Sequence, residues 1–315
     1  MTTLFSIIIC SYNPDLRLLE RCINAALNQK TDGFDYEIIL VDNNSKEKLK
    51  NIQFVQDALK RKNGVLRVVE EVTPGLAFAR IKGVQESKGS YVVFADDDNE
   101  LSFHYLITLK YLWDNYSFVG AWGAGAIEVD FIDNAPLWLR KHFKDMFQYR
   151  KQKYVQYGCI VGWPEYYPVG SGMAVRKDVF EMYRRNFESG KITAIDRKAG
   201  TLSSAGDSQI VWTAILNKIP AGSSPDLALT HIIPFKRTHL KYLTDLNYNI
   251  SKSYYTALFE MFPEEKNNHI PYNIFSGVGF AVKQMVKAGG NPFLFYKFFK
   301  VRNAWNRGLR ASLIQ

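Results

Sequence analysis

Three consecutive carboxylates, Asp96, Asp97 and Asp98, follow directly on the apolar run 91–95 in "SYVVFADDDNE". Four of those five residues are strong strand formers, with no polar interruption, which is the pattern of a strand buried on both faces. Adjacent carboxylates repel one another, so the cluster costs stability unless something positive compensates it. A hard divalent cation such as Mg²⁺ does so, taking oxygen ligands from one or two carboxylates and from substrate phosphates. The competing reading is a helix cap, because Asp is a favoured N-cap and "DDDNELSFHYL" suits a helix start.

The surrounding elements decide between the two. "LFSIIICSYN" (4–13) reads as a strand running into a Ser-Tyr-Asn-Pro turn, and residues 15–29 carry apolar positions at helical spacing. "YEIILVDNNS" (36–45) is a second buried strand, ending in Asp42. A polar helical stretch (46–61), a third strand in "VLRVVEE" and a helix over 73–89 lead to the strand that precedes the aspartates. This alternation predicts an α/β fold, a Rossmann-like, mostly parallel sheet flanked by helices. Ligands of such sheets sit beyond the carboxyl ends of the strands. Asn13, Asp42 and Asp96–Asp98 all fall at such ends, a convergence that helix capping does not explain.

Other chemistries are excluded by what is missing. There is no GxxxxGK[ST] phosphate loop, no HExxH and no GxSxG. "GAGAIE" (123–128) has Glu128 where a dinucleotide-binding turn needs its third small residue. Cys10, Cys22 and Cys159 are odd in number and form no CxxC pair, so they indicate neither a disulfide framework nor a zinc site. With no secretory signal and no run of 18 apolar residues, the sequence points to a cytoplasmic protein.

The motifs, in their order along the chain, resemble those of family 2 glycosyltransferases, the inverting enzymes of GT-A fold. "SIIICSYNP" is similar to that family's opening strand and Tyr-Asn turn, "LVDNNS" to its second strand, and "GLAFARIKG" to its Gly-Leu-x-x-Ala-Arg-Asn-x-Gly helix, with Ile81 in place of the Asn. "FADDDN" resembles its metal-binding Asp-x-Asp. The resemblance covers residues 4–243. It implies a nucleotide-diphosphate sugar as donor, expected to be a UDP-sugar, held by Ser11, Tyr12, Asn13, Asp42, Arg80, Asp96 and Asp97. It also implies Mn²⁺ or Mg²⁺ on Asp98 and Asp96. Such an ion would bridge the diphosphate and stabilise the charge on the leaving nucleotide, and Arg80 would add positive charge there.

The same resemblance extends to the second half. "YYPVGSGMAVRKDVF" (166–180) matches the segment whose small residues line the sugar pocket, here Gly170, Ser171 and Gly172. In "LSSAGDSQIVWTAIL" the family's Glu-Asp is replaced by Gly206-Asp207. Asp207 remains as the expected general base, the carboxylate that an inverting displacement needs on the acceptor side. His231 and Arg237 match positions at which the family faces metal or diphosphate, which implies His231 as a further metal ligand. Trp122, Trp138 and Trp163 are candidates for stacking on acceptor sugars, with core packing as the alternative use of each.

Two domains are expected. Residues 1–243 form the catalytic domain (1–120 for nucleotide-sugar and metal, 121–243 for acceptor), and 244–315 form a helical extension. The net charge of +9 is concentrated in that extension: after Glu265 there is no acidic residue and there are 8 Lys and Arg. Basic and aromatic residues in helical spacing suit an anionic membrane surface, reached as a peripheral protein from the cytoplasmic side. Helices packed on a neighbour with solvated charges are the alternative. No nucleic-acid motif is present. The sequence thus predicts transfer of a sugar to a glycan or lipid-linked acceptor in cell-surface polysaccharide synthesis. A non-catalytic nucleotide- or glycan-binding protein of the same fold is the rival reading, kept open by Gly206 and Ile81.

Overall fold

The computed structural model describes residues 3–193, 196–197 and 201–314. The chain divides into two compact units that interleave along the sequence. The first comprises Met1–Asp130, Gln148–Lys191 and Asp207–Ile232, and the second Phe131–Phe147, Ile192–Gly206 and Ile233–Gln315. The extension expected from residue 244 therefore shares its unit with two earlier segments and with residues 233–243.

The predicted alternation is present: β1 (Thr3–Ser11), α1 (Leu16–Leu27), β2 (Asp35–Asp42), α2 (Gln53–Lys60), β3 (Leu66–Glu70), α3 (Leu76–Glu86) and β4 (Tyr91–Asp96). The aspartates do not cap a helix. They lead into a short strand, β5 (Asn99–Leu101), and the next helix, α4 (Tyr105–Asn115), begins only at Tyr105. There follow β6 (Ala121–Phe131), α5 (Leu137–His142), β7 (Arg150–Lys151), β8 (Gln156–Gly158), β9 (Ala174–Arg176), α6 (Lys177–Glu188), α7 (Gly206–Leu216) and β10 (Ala221–Ile233). Three long helices end the chain: α8 (Leu240–Met261), α9 (Ile274–Lys287) and α10 (Pro292–Leu313).

One mixed sheet runs β3-β2-β1-β4-β9-β6-β10-β5, with β7 on β6 and β8 on β10. The first four strands are parallel, and the later pairings β4–β9, β6–β9 and β10–β5 are antiparallel. Ile7, Ile8 and Ile9 of the central strand are fully buried, as are Ile38, Leu40 and Val93 on its neighbours. That two-sided burial is why these strands read as unbroken apolar runs. β1 lies between β2 and β4, so the connections leave it in opposite directions and open a crevice at its carboxyl end. Register puts Ser11 beside Asp42 on one side and Cys10 beside Asp96 on the other.

Helix α3 lies close against this strand because Gly83 has no side chain. A Cβ there would come within 2.5 Å of Ile8 Cγ2. The close approach carries Arg80, one turn earlier, into the interior, where it is 4% exposed.

The second unit is built on α8, α9 and α10. Ser251 Oγ donates to the Trp305 carbonyl at 2.7 Å and Asn247 Nδ2 to that of Val301 at 2.7 Å, while Asn306 Nδ2 donates to the Tyr272 carbonyl at 2.8 Å. Phe143 stacks on Phe298 with ring centroids 4.9 Å apart. Among the described residues no helix is long and apolar enough to cross a membrane.

Candidate active site

The aspartate cluster is organised by side chains from four other positions of the sheet unit. Ser11 Oγ, at the end of β1, donates to Asp97 Oδ2 at 2.6 Å, and Ser171 Oγ donates to Asp96 Oδ2 at 3.2 Å. Asn99 works in both directions: its amide donates to Asp98 Oδ1 at 3.0 Å and its oxygen accepts the Asp96 backbone N–H at 3.2 Å. Antiparallel pairing of β5 with β10 sets His231 opposite Asn99. That pairing brings His231 Nε2 to 3.6 Å from Asp98 Oδ1, and the Ile232 N–H bonds the Asp98 carbonyl at 2.9 Å. Asp98 is 3% and His231 8% exposed.

The cluster imposes a negative potential on its surroundings. Cys22 is buried on α1, and its thiol contacts the Asp96 carbonyl at 3.3 Å. Burial first, and then the charges of Asp97, Asp98 and Asp96, push its pKa well above the usual 9.0. A cation has the opposite preference and gains from the same field.

The residues present fit a hard divalent ion with few protein ligands. Carboxylate oxygen and imidazole nitrogen are the donor types of Asp98 and His231, which face each other without being in hydrogen-bond contact. Among the described residues no group of three or more His, Cys, Asp or Glu side chains is arranged to hold an ion. Any metal here would complete its shell with phosphate oxygens and water, as Mg²⁺ commonly does.

Asp207 stands at the start of α7. Its Oδ2 accepts the Gly170 N–H at 2.9 Å and its Oδ1 the Ser208 N–H at 2.9 Å. An N-cap side chain accepts from the N–H two or three residues ahead. Asp207 instead bonds its immediate neighbour and a distant loop, so capping does not account for it. A Cβ on Gly170 would lie 3.2 Å from Arg80 Nη2 and 3.4 Å from Asp207 Oδ2. Guanidinium and carboxylate therefore meet over a residue that has no side chain. Gly170 and Ser171 are adjacent, so one loop contacts Asp207 with the first and Asp96 with the second.

Other expected residues have different employment. Asp42 is 1% exposed. Its Oδ1 accepts the Ser45 N–H at 2.9 Å and its Oδ2 the Leu49 N–H at 3.0 Å, so both oxygens hold the turn after β2. Asn13 has φ +46°, and its Oδ1 accepts the Lys46 N–H at 2.9 Å. Tyr12 is 44% exposed. Trp122 is fully buried among Tyr116 and Tyr157, and Trp163 packs edge-on against Trp212 and Tyr167. In the second unit Trp138 lies 4.2 Å beneath the Lys297 ammonium, and Arg237 ends a short helical turn, Phe235–Arg237.

Sequence reasoning missed Asn99 and Arg150. Asn99 stands in the quoted motif, but an amide after three carboxylates carries no signal of its own. Arg150 is buried on the two-residue strand β7 and donates to the Tyr167 carbonyl at 2.9 Å. Burial lowers its pKa to about 10 against the opposing pull of Asp207 and Glu165. Nothing in "YRKQ" distinguishes it from a surface arginine.

The family model of glycosyl transferase family 2 matches residues 6–184, more than half of the chain. The chain belongs to glycosyl transferase family 2. It is 34% identical over 102 residues to an uncharacterized glycosyltransferase EpsJ of Bacillus subtilis, and 29% identical over 113 residues to a poly(ribitol-phosphate) beta-glucosyltransferase of Bacillus spizizenii. Those matches cover 32% and 36% of this chain but only 28% and 17% of the relatives. Solved structures agree in fold. S. aureus TarS 1–349 superposes with a TM-score of 0.50 at 15% identity, and the same protein with UDP-GlcNAc with 0.52 at 14%. Each comparison covers 98% of this chain and 91% of the other. The architecture is thus the GT-A type that the motif order implied, and the aspartate cluster, Arg80 and the Gly170–Ser171 loop lie within the family match.

Proposed function

We propose that this protein is an inverting glycosyltransferase that moves a sugar from a uridine-diphosphate sugar to a hydroxyl of a growing glycan or lipid-linked acceptor in polysaccharide synthesis. The observation that carries this reading is the single loop, Gly170–Ser171, that contacts both the donor-side Asp96 and the acceptor-side Asp207. A displacement with inversion needs a leaving phosphate and a base on opposite sides of one carbon, at a fixed separation. One rigid loop bonded to both carboxylates sets that separation. The neighbour solved with UDP-GlcNAc supports the nucleotide, and the glucosyltransferase relative supports a wall polymer as product.

In this reading Asp98 and His231 would hold Mn²⁺ or Mg²⁺. When bound, the ion supplies positive charge to the diphosphate as a Lewis acid. The chain's own residues do the rest. Ser11, through Asp97, and Ser171, through Asp96, keep the carboxylates oriented, and Arg80 brings a buried positive charge beside the reacting carbon. Asp207 Oδ accepts the proton of the acceptor hydroxyl as the new glycosidic bond forms. Ser11 and Tyr12 line the nucleotide side, while Asp42 and Asn13 fix the turns that shape it.

Calorimetry with UDP and Mn²⁺ tests the donor half. The wild-type chain should bind UDP more tightly with Mn²⁺ than without, and Asp98→Ala should abolish the difference. Equal metal-supported affinity in the variant would overturn the metal assignment. A panel of UDP-, GDP- and dTDP-sugars in thermal shift identifies the base.

A further inference from the structure

Helix α9 is apolar on two opposite faces. One face is used within its own unit: Gly277 and Ala281 are buried, with Phe280, Gln284 and Met285 half-buried beside them. Phe280 and Tyr272 each place a ring against the Arg302 guanidinium of α10, 5.0 and 4.6 Å from its centre. The opposite face of a packed helix is ordinarily polar. Here it carries Phe275, Val278, Val282 and Val286, exposed by 79, 37, 42 and 63%. Spacings of three and four residues put all four on one stripe. Lys283 and Lys287 flank the stripe, and both are exposed.

The outward side of α10 continues the pattern. Phe293 and Tyr296 are 59% and 51% exposed, and Lys300, Arg307 and Arg310 follow them on the same helical face. Between Glu265 and the end of the chain there is no carboxylate side chain to balance these cations. One lysine of the segment is different. Lys297 is 6% exposed, with its ammonium between the rings of Trp138 and Phe293 at 4.2 and 3.9 Å. It is an internal fastening, not part of the charged surface.

We propose that the α9 stripe and the basic outer face of α10 dock on an anionic phospholipid surface. The apolar stripe has the width of one helix face and suits the boundary between headgroups and acyl chains. Flanking lysines can keep their ammonium groups among the phosphates while their stems lie on the apolar layer. Charge selects the occupant. A face with cations and no carboxylate complements a negative lipid surface. With 14 residues, α9 is too short to span a bilayer, so the segment lies on the membrane rather than in it. The inference stands independently of the donor chemistry.

The test uses the full chain and vesicles of phosphatidylcholine alone or with phosphatidylglycerol. Flotation should recover the protein with the anionic vesicles only, and raised salt should release it. The triple variant Val278→Ser, Val282→Ser, Val286→Ser changes exposed positions only, and it should weaken anionic vesicle binding by about tenfold or more. Lys283→Glu with Lys287→Glu should do the same. UDP binding measured on the same samples reports that the sheet unit is folded and keeps this test separate from the proposed activity. Absence of flotation with anionic vesicles, or undiminished flotation of both variants, would overturn the proposal. So would a wild-type dimer in light scattering that the serine variant dissociates and that leaves no lipid binding, since the stripe would then be covered by a second copy.

Discussion

Two neighbouring strand ends carry acids in the same topological position and use them in opposite ways. After β2, Asp42 is buried and both its oxygens accept backbone N–H groups of the following turn. After β4, Asp96, Asp97 and Asp98 are bonded mainly to side chains, those of Ser171, Ser11 and Asn99. A carboxylate held by its own turn is a structural acceptor whose removal leaves buried donors without partners. A cluster held by side chains from other elements, with its charges left adjacent, sacrifices stability to concentrate negative potential. Position at a strand end marks a site only when the backbone has not already claimed the oxygens.

Asp207, a third carboxylate, sharpens that contrast and carries the largest expected effect. Asp207→Asn keeps the shape but removes the basic oxygen. Transfer rate should fall by about 10²–10⁴-fold, with donor affinity changed by no more than about 1 kcal/mol. Rate and donor Kd measured with acceptor present would check this, and near-normal turnover would return Asp207 to a purely structural role.

The two strand ends themselves should respond in crossed fashion. Asp42→Ala strips two buried N–H groups of their acceptor and should cost about 3 kcal/mol, lowering Tm on the order of 5 °C or more. Metal-supported UDP binding by the protein that remains folded should persist. Asp98→Ala should leave Tm nearly unchanged or raised, because relief of repulsion offsets one lost bond to Asn99, while metal-supported binding disappears. Thermal melts and calorimetry on both variants would break the comparison if the two patterns coincided.

A smaller change is expected from Ser171→Ala. It removes one hydrogen bond, at 3.2 Å, to Asp96, and donor affinity should weaken by about 1 kcal/mol, roughly fivefold. The smallest effect concerns Cys22, whose raised pKa keeps it a neutral thiol at pH 8. Iodoacetamide should label exposed Cys159 and leave Cys22 unmodified in the native protein, checked by peptide mass spectrometry. The linkage follows the same sign. As pH rises past the ordinary 9.0, the unfolded chain loses the Cys22 proton while the fold retains it, so this group's contribution to stability falls.

The sequence by itself determined the first half of the sheet unit and the location of the donor-side acids. Buried parallel strands must be apolar throughout, so β1, β2 and β4 announce themselves, and acids that follow such runs can only lie at the sheet's carboxyl edge. The opposite polarity of the terminal segment was also legible, because charge composition needs no coordinates. Tertiary structure decided the rest. Whether Asp42 or Asp98 keeps available oxygens depends on which N–H groups the next turn directs back, which no local pattern encodes. Pairing of His231 with Asp98 required the register of β10 on β5, between residues more than a hundred positions apart. Arg80 became an interior charge only because Gly83 lets α3 approach β1, and Arg150 only through the placement of a two-residue strand. The two-sided apolarity of α9 likewise emerged from packing. The sequence shows valines at helical spacing, but only the fold shows that a different face of the helix meets its neighbours and that these residues face outward.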